Sequence, residues 1–324
     1  MASRVILGQS GLSVSPICFG TWQLSPRFWG EQSKKAIIRA MHVAHDSGIN
    51  FYDTADAYGD GYAEEVLGEA MRSIPRDKVI IATKVFNHFN PDRTRYPDLS
   101  RSHVIEKCEL SLKRLNTDYI DLYLLHFYDQ LTPLADITET LEWLRNQGKI
   151  SNYGVSNFNV EQLRAARHFG NYTVLQPAYS LFDFAAESYL LPYCQQQNIG
   201  VMVYSPLHKG LLTGKYTGTE PFDDFRKYHP DFQGERFKML AEKVQNLGDM
   251  AAAYNLSIGQ LVLATTLAHP AIQVAIVGIK NADQIEEAAA AMDKTIGRKD
   301  YFTIRSILDI SAMPKPKDAS GTVK

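Results

Sequence analysis

Apolar residues along this chain follow two alternating rhythms. Short, nearly continuous apolar runs, such as Ile17-Cys18-Phe19-Gly20 and Val79-Ile80-Ile81-Ala82, are separated by longer segments whose apolar positions return at helical spacing, as Ala36, Ile37, Ala40, Val43 and Ala44 do. The first rhythm predicts buried strands and the second amphipathic helices. Strands are expected at 17–20, 50–53, 79–84, 120–126, 153–156, 173–177, 200–205 and 273–277. Helices are expected at 63–72, 101–115, 136–147, 159–169, 185–197, 236–254, 257–268 and 282–291, after an earlier one capped by Ser33 and stopped by Gly48. Residues 4–16 read as a hairpin around a Gly/Ser turn. Eight parallel strands with covering helices favour an α/β fold, a (β/α)8 TIM barrel with that hairpin capping its bottom, over an open doubly wound sheet. The long connections 85–100 and 206–235 then belong to the C-terminal rim, where loops carry function. Residues 1–311 form one domain in this reading, and 312–324, rich in Pro, Lys, Ser and Gly, an exposed polar tail.

Successive strands end on chemistry. Phe51-Tyr52-Asp53 empties into a loop bearing Tyr58, the run 79–84 closes on Lys84, and Ile120–Leu125 is followed by His126. Parallel strands bring all four to one rim. A phenol titrates near 10, so acting as a proton donor at neutral pH calls for help. A nearby ammonium lowers its pKa, and a carboxylate keeps that ammonium charged and oriented. Tyr58 as acid, Lys84 as tuner, Asp53 as its partner and His126 as a donor to a carbonyl oxygen make one coherent unit. Singly, each has a plainer use: a cap, a packed ring, a surface ion pair.

The composition, 45 % hydrophobic and 22 % charged over 324 residues, is that of a globular protein with a large core, and the formal net charge of −2 offers no basic field for nucleic acid. No apolar stretch approaches the roughly 20 residues that span a bilayer, and the N-terminus lacks a signal-like apolar region. Cys18, Cys108 and Cys194 form no CxxC and cannot all pair, which favours a reducing compartment; a cytoplasmic protein is expected. The sequons at Asn171 and Asn255 are then chance matches. His42 and His45 share a helix face but form no ligand cluster, so no metal is expected.

The motifs Asp53-Thr54-Ala55-Asp56-Ala57-Tyr58-Gly59, Ala82-Thr83-Lys84, Leu124-Leu125-His126, Gly154-Val155-Ser156-Asn157-Phe158, Leu175-Gln176-Pro177 and Tyr204-Ser205-Pro206-Leu207 stand in the order found in aldo-keto reductases. The chain resembles that family over nearly its whole length, in particular a bacterial branch related to inositol-utilisation and general-stress reductases. The resemblance implies an oxidoreductase that reduces an aldehyde, ketone or sugar carbonyl reversibly with NADPH, with Asp53, Tyr58, Lys84 and His126 as its catalytic tetrad.

It also implies a cofactor site. Ser156, Asn157 and Gln176 are to hold the nicotinamide carboxamide, Tyr204 to stack under the ring, and Thr21 and Trp22 to lie beside it. Ser205, Pro206 and Leu207 are to line the pyrophosphate path, with Lys215 as its cation. The adenosine end is read from Gly278–Ala288, including Gln284 and Glu287, with Lys280 at the 2′-phosphate. Val277 and Ala288 depart from the family's usual proline and asparagine, which leaves NADH as the alternative cofactor. No GxGxxG is present to support a Rossmann fold. Trp22, Phe28, Trp29, Phe86, Phe127 and Tyr128 are candidates for an aromatic substrate pocket, although taken singly each is more readily a packing residue. The partner expected is a small carbonyl compound or sugar, without nucleic acid or membrane.

Two rivals stand beside this reading: a Schiff-base aldolase using a neutral Lys84, and a nicotinamide-binding regulatory subunit of the potassium-channel β type, which the family also resembles. An oxidative sugar dehydrogenase is the same chemistry reversed.

Overall fold

The computed structural model describes residues 3–90, 92 and 94–313. The polar tail expected from 312 onward therefore lies almost wholly outside the described residues. The strands are β1 (Val5–Ile6), β2 (Ser13–Val14), β3 (Ile17–Gly20), β4 (Phe51–Asp53), β5 (Ile80–Val85), β6 (Asn87–Phe89), β7 (Arg95–Pro97), β8 (Ile120–Leu125), β9 (Ile150–Ser156), β10 (Val174–Gln176), β11 (Gly200–Tyr204) and β12 (Val274–Gly278). Eight of them close into a parallel barrel in the order β3-β4-β5-β8-β9-β10-β11-β12, with β12 returning to β3. The alternation read from the sequence thus becomes a (β/α)8 barrel, as expected.

Between and after the strands run α1 (Pro26–Trp29), α2 (Lys34–Asp46), α3 (Tyr62–Met71), α4 (Arg101–Leu115), α5 (Leu134–Asn146), α6 (Val160–Phe169), α7 (Leu190–Gln196), α8 (Gly234–Gln245), α9 (Gly248–Ala253), α10 (Ile258–Leu267), α11 (Ala282–Ala289) and α12 (Arg298–Ile307). Ser33 caps α2 by accepting from Ala36 N, as its sequence position predicts. Besides the four-residue α1, too short to show a period, three helices differ from expectation. The 185–197 helix shrinks to α7, because Pro192 has no N–H to donate and fits only the first turn. The 236–254 helix breaks into α8 and α9 at Asn246-Leu247-Gly248. The polar α12, burying only Ile304, gives too thin an apolar stripe to be read beforehand.

The hairpin β1–β2 plugs the barrel from below. Leu7 and Val14 join Phe51, Leu122, Val174, Met202 and Val274 in the interior cluster. Gly8 adopts φ +52°, and a Cβ there would meet Gly200 N, at the start of β11, at 2.1 Å. Of the two long rim connections, 85–100 carries a second hairpin, β6–β7, and 206–235 folds as short 3₁₀ turns. Among the described residues no single helix is long and apolar enough to cross a membrane.

Candidate active site

Side chains alternate along each barrel strand, so every second residue points inward. Phe51, Ala82, Leu124, Val174 and Met202 lie in the interior cluster, whereas Tyr52, Ile81, Tyr123, Leu175 and Val203 pack outward under the helices. One step further toward the C-terminal ends, the inward positions fall to Asp53, Lys84, His126, Gln176 and Tyr204. The strand period itself therefore lays a polar layer on an apolar one.

Lys84 is the hub of that layer. It is fully buried, and its Nζ donates to Asp53 Oδ1 at 2.7 Å, Thr54 O at 2.8 Å and Tyr58 Oη at 3.3 Å. All three ammonium protons are thus engaged. Gln176 Nε2 donates to the other carboxylate oxygen, Asp53 Oδ2, at 2.7 Å. His126 meets the Tyr58 ring edge-on, with centroids 5.9 Å apart, and stacks on Phe127 at 5.0 Å. The four residues read from the strand ends are brought together.

Burial disfavours the Lys84 ammonium, but attraction from Asp53 and Tyr58 more than offsets it and holds its pKa above the usual value. Burial pushes the Asp53 carboxyl up, against the pull of Lys84 and Gln176. The expectation that Lys84 would leave Tyr58 with a lowered pKa is corrected: burial outweighs the ammonium, and the phenol stays above its usual value and protonated. Burial, then the charges of Lys84 and Arg95, hold His126 well below the usual imidazole range, so it is a neutral ring. A neutral amine is what an aldolase lysine needs; a charged, fully bonded Lys84 with no exposed surface does not supply one.

Tyr58 and His126 face a cavity of about 750 Å³ that continues past Ser156, Asn157, Gln176 and Tyr204 to Ser205, Pro206 and Leu207, and ends at Lys215, Arg226, Gly278, Lys280, Gln284 and Glu287. Its shape and donors suit a dinucleotide. Lys280 is pushed below the usual lysine value by burial and then by Arg226 and Lys215, so three cations converge at the far end. Such a cluster fits phosphate oxygens. Lys280 Nζ also lies over the Trp29 ring at 4.9 Å, and the main-chain N–H of Lys280 donates to Gln284 Oε1 at 2.9 Å. Buried Gln23 Oε1 and Ser25 Oγ, both of lining residues, have no hydrogen-bond partner among the described residues.

Several expected roles change. Thr21 does not line the cavity: its Oγ1 donates to Asp53 O at 3.0 Å and so braces the end of β4. The Gln176 amide nitrogen is taken by Asp53, leaving only its oxygen for a ligand. The Asn157 amide is likewise spent, donating to His126 O at 3.0 Å and accepting from Tyr204 Oη at 2.8 Å. Of the aromatic candidates, Trp22, Phe28, Trp29 and Phe127 reach the cavity. Phe86 and Tyr128 do not line it; they pack on the outer core, Phe86 against Phe127 and Tyr128 edge-on to Phe158.

Sequence reasoning missed Phe225 and Arg226. Phe225 closes an aromatic cluster with Trp22, Phe28 and Trp29, at 5.4, 6.4 and 4.9 Å. Arg226 is forked onto Asp224, and its Nη1 donates to Tyr216 Oη at 2.7 Å. Asp223-Asp224-Phe225-Arg226-Lys227 reads as a solvated loop, and only the approach of Lys280 and Trp29 from elsewhere reveals its use. Asn87 and Arg95 at the mouth carried no signal either.

The barrel and the chain's sequence are shared with known proteins. The model of the aldo/keto reductase family matches residues 16–309, and the chain belongs to that family. It is 36 % identical to Aldo-keto reductase YhdN of Bacillus subtilis, over 94 % of this chain and 92 % of that protein. It is 30 % identical to an NADH-specific methylglyoxal reductase of Escherichia coli, over 94 % and 98 %. A probable voltage-gated potassium channel subunit beta of Oryza sativa is 33 % identical, over 89 % and 90 %. Among solved structures, a glycerol dehydrogenase from Gluconobacter oxydans superposes with a TM-score of 0.88 at 30 % identity, covering 98 % of this chain and 99 % of that one. An aldo-keto reductase from Klebsiella pneumoniae in complex with NADPH gives 0.76 at 29 %, covering 95 % and 96 %. The chain is thus an oxidoreductase of carbonyl–alcohol chemistry.

Proposed function

We propose that this enzyme reduces a small aldehyde, ketone or sugar carbonyl with NADPH, Tyr58 acting as the acid. The observation that carries this is the Lys84 ammonium bridging Asp53 and Tyr58 beside His126 at the cavity floor. When bound, NADPH supplies a hydride to the carbonyl carbon. Tyr58 Oη gives its proton to the carbonyl oxygen as negative charge develops there, and Lys84, held by Asp53 and Thr54, stabilises the phenolate left behind. The neutral His126 orients that oxygen through an N–H donor. Ser156, Gln176 and Tyr204 would hold the nicotinamide, and Lys215, Lys280 and Arg226 the phosphates.

The complex of the Klebsiella relative with NADPH supports this cofactor, and the Escherichia relative's NADH specificity keeps NADH as the alternative. The aromatic wall of Trp22 and Phe127, with Asn87, Arg95 and Asp183 around it, suits a small oxygen-rich carbonyl compound. A second reading, oxidation of a polyol or sugar at the same site, is favoured by the glycerol dehydrogenase neighbour. With all three cysteines free and buried, we place the enzyme in the cytoplasm.

The test is tryptophan-fluorescence titration with NADPH and NADH, then turnover on a panel of aldehydes, ketones, sugars and polyols. Tyr58→Phe is expected to lower kcat/KM by about 10²- to 10⁴-fold with cofactor Kd unchanged. Unchanged turnover in that variant, or no nicotinamide binding by the wild type, would sink the reading; binding without turnover would favour a regulatory role.

A further inference from the structure

Beside the cavity mouth, the β6–β7 hairpin, the turn after it and the start of α4 converge three donor atoms that carbonyl reduction does not use. We propose that His88, Asp98 and His103 bind a divalent transition-metal ion, zinc or a close neighbour in chemistry, which clips the hairpin to α4. His88 Nδ1 and His103 Nδ1 each stand 3.7 Å from Asp98 Oδ2, and the three donor atoms all lie within 4.8 Å of one another. Gaps of that size are too long for hydrogen bonds. They are near the separation, roughly 3.3–3.5 Å, of two ligands each about 2.0–2.1 Å from a tetrahedral zinc.

His103 supplies an independent observation. It is only 4 % exposed, and its Nε2 lies 3.2 Å from Asn87 O. A carbonyl oxygen only accepts, so the ring proton sits on Nε2. Its other ring nitrogen, Nδ1, faces the Asp98 carboxylate oxygen, and a cation seated between them is held by both.

The rest of the arrangement is that of a built site. A ligating imidazole whose other nitrogen donates to a main-chain carbonyl is held in tautomer and orientation for metal. Asp98 Oδ1 accepts from Ser100 N at 2.9 Å, which leaves Oδ2 for the ion. His88 is fixed by stacking on Tyr96, at 4.8 Å and 13°. Two imidazoles with one carboxylate suit zinc, nickel or cobalt rather than magnesium or calcium. Lys107, one helical turn beyond His103, is the charge that opposes a dication. Because Asn87 and Arg95 sit on the same hairpin and line the cavity, an ion here sets the position of the substrate mouth.

The experiment is calorimetric titration of the chelator-treated full chain with Zn²⁺, without nicotinamide, alongside visible spectra with Co²⁺. One saturable site per chain is expected, about tenfold or more weaker in His88→Ala and in His103→Ala, unchanged in His42→Ala and tighter in Lys107→Gln. Zinc is expected to raise the wild-type Tm and leave that of His88→Ala alone; His88, half-exposed, is removed without opening the core. Absence of a saturable site, or binding undiminished in both His88→Ala and His103→Ala, would overturn the proposal. Neither outcome bears on the reductase reading, since no cofactor or turnover enters the measurement.

Discussion

Asp56 lies in the same motif as Asp53 and Tyr58 but meets a different fate. Burial, with Glu64 beside it, pushes its carboxyl up to about 7. The unfolded value is near 3.9, so between about pH 4 and pH 7 the folded chain binds this proton and the unfolded chain does not. Stability therefore falls as pH rises through that window and levels off above it. Asp56→Asn is expected to remove this loss: wild-type Tm drops between pH 5 and pH 8, while the variant's falls less. Parallel pH profiles for the two proteins would contradict it. Asp53, Lys84 and His126 are legible because each ends an apolar run, and Tyr58 because it follows one. The Gln176–Asp53 hydrogen bond joins residues 123 positions apart, and nothing local to either announces it.

The connection 206–235 is the element whose role depends most on its neighbours. Ser205, His208 and Lys209 hold positive φ without being glycine, a concentration of backbone strain along the cavity wall. Further on, Phe225 reaches back to Trp22 and Trp29, and Arg226, locked by Asp224 and Tyr216, joins Lys280. Arg226→Ala is expected to raise the Kd for NADPH by about tenfold, the loss of one charge-assisted contact, with kcat nearly unchanged because no proton moves there. Equal affinity in fluorescence titration would show that Lys215 and Lys280 alone hold the phosphates. Strands and long amphipathic helices were legible because their period repeats; this connection has no period, and α12 only a faint one. Pro192 and Gly248, both visible in the sequence, bound helices shorter than apolar spacing suggested.

At the scale of the whole molecule, the barrel separates stability from chemistry. Its bottom is closed by Leu7 and Val14 and its top by the polar layer, with the interior cluster between them. Leu7→Ala is expected to cost about 2–5 kcal/mol of stability, as for other fully buried leucines, and to leave the NADPH Kd unchanged. A parallel loss of cofactor affinity, read by denaturant unfolding and titration on the same sample, would show that the two ends are coupled. By itself the sequence determined the number and order of the barrel strands, their parallel packing and the residues that end them, since these follow from local period and from the short reach of each turn. It also carried the tyrosine, lysine, aspartate and histidine by motif. Closure of the sheet decided the rest. Only closure aims Asp53, Lys84 and His126 at a common point, buries Tyr58 deeply enough to stay protonated, and ties Thr21, Asn157 and the amide nitrogen of Gln176 to residues of other strands. Those outcomes depend on distances between distant strands and on the exclusion of water, which no single stretch of chain encodes.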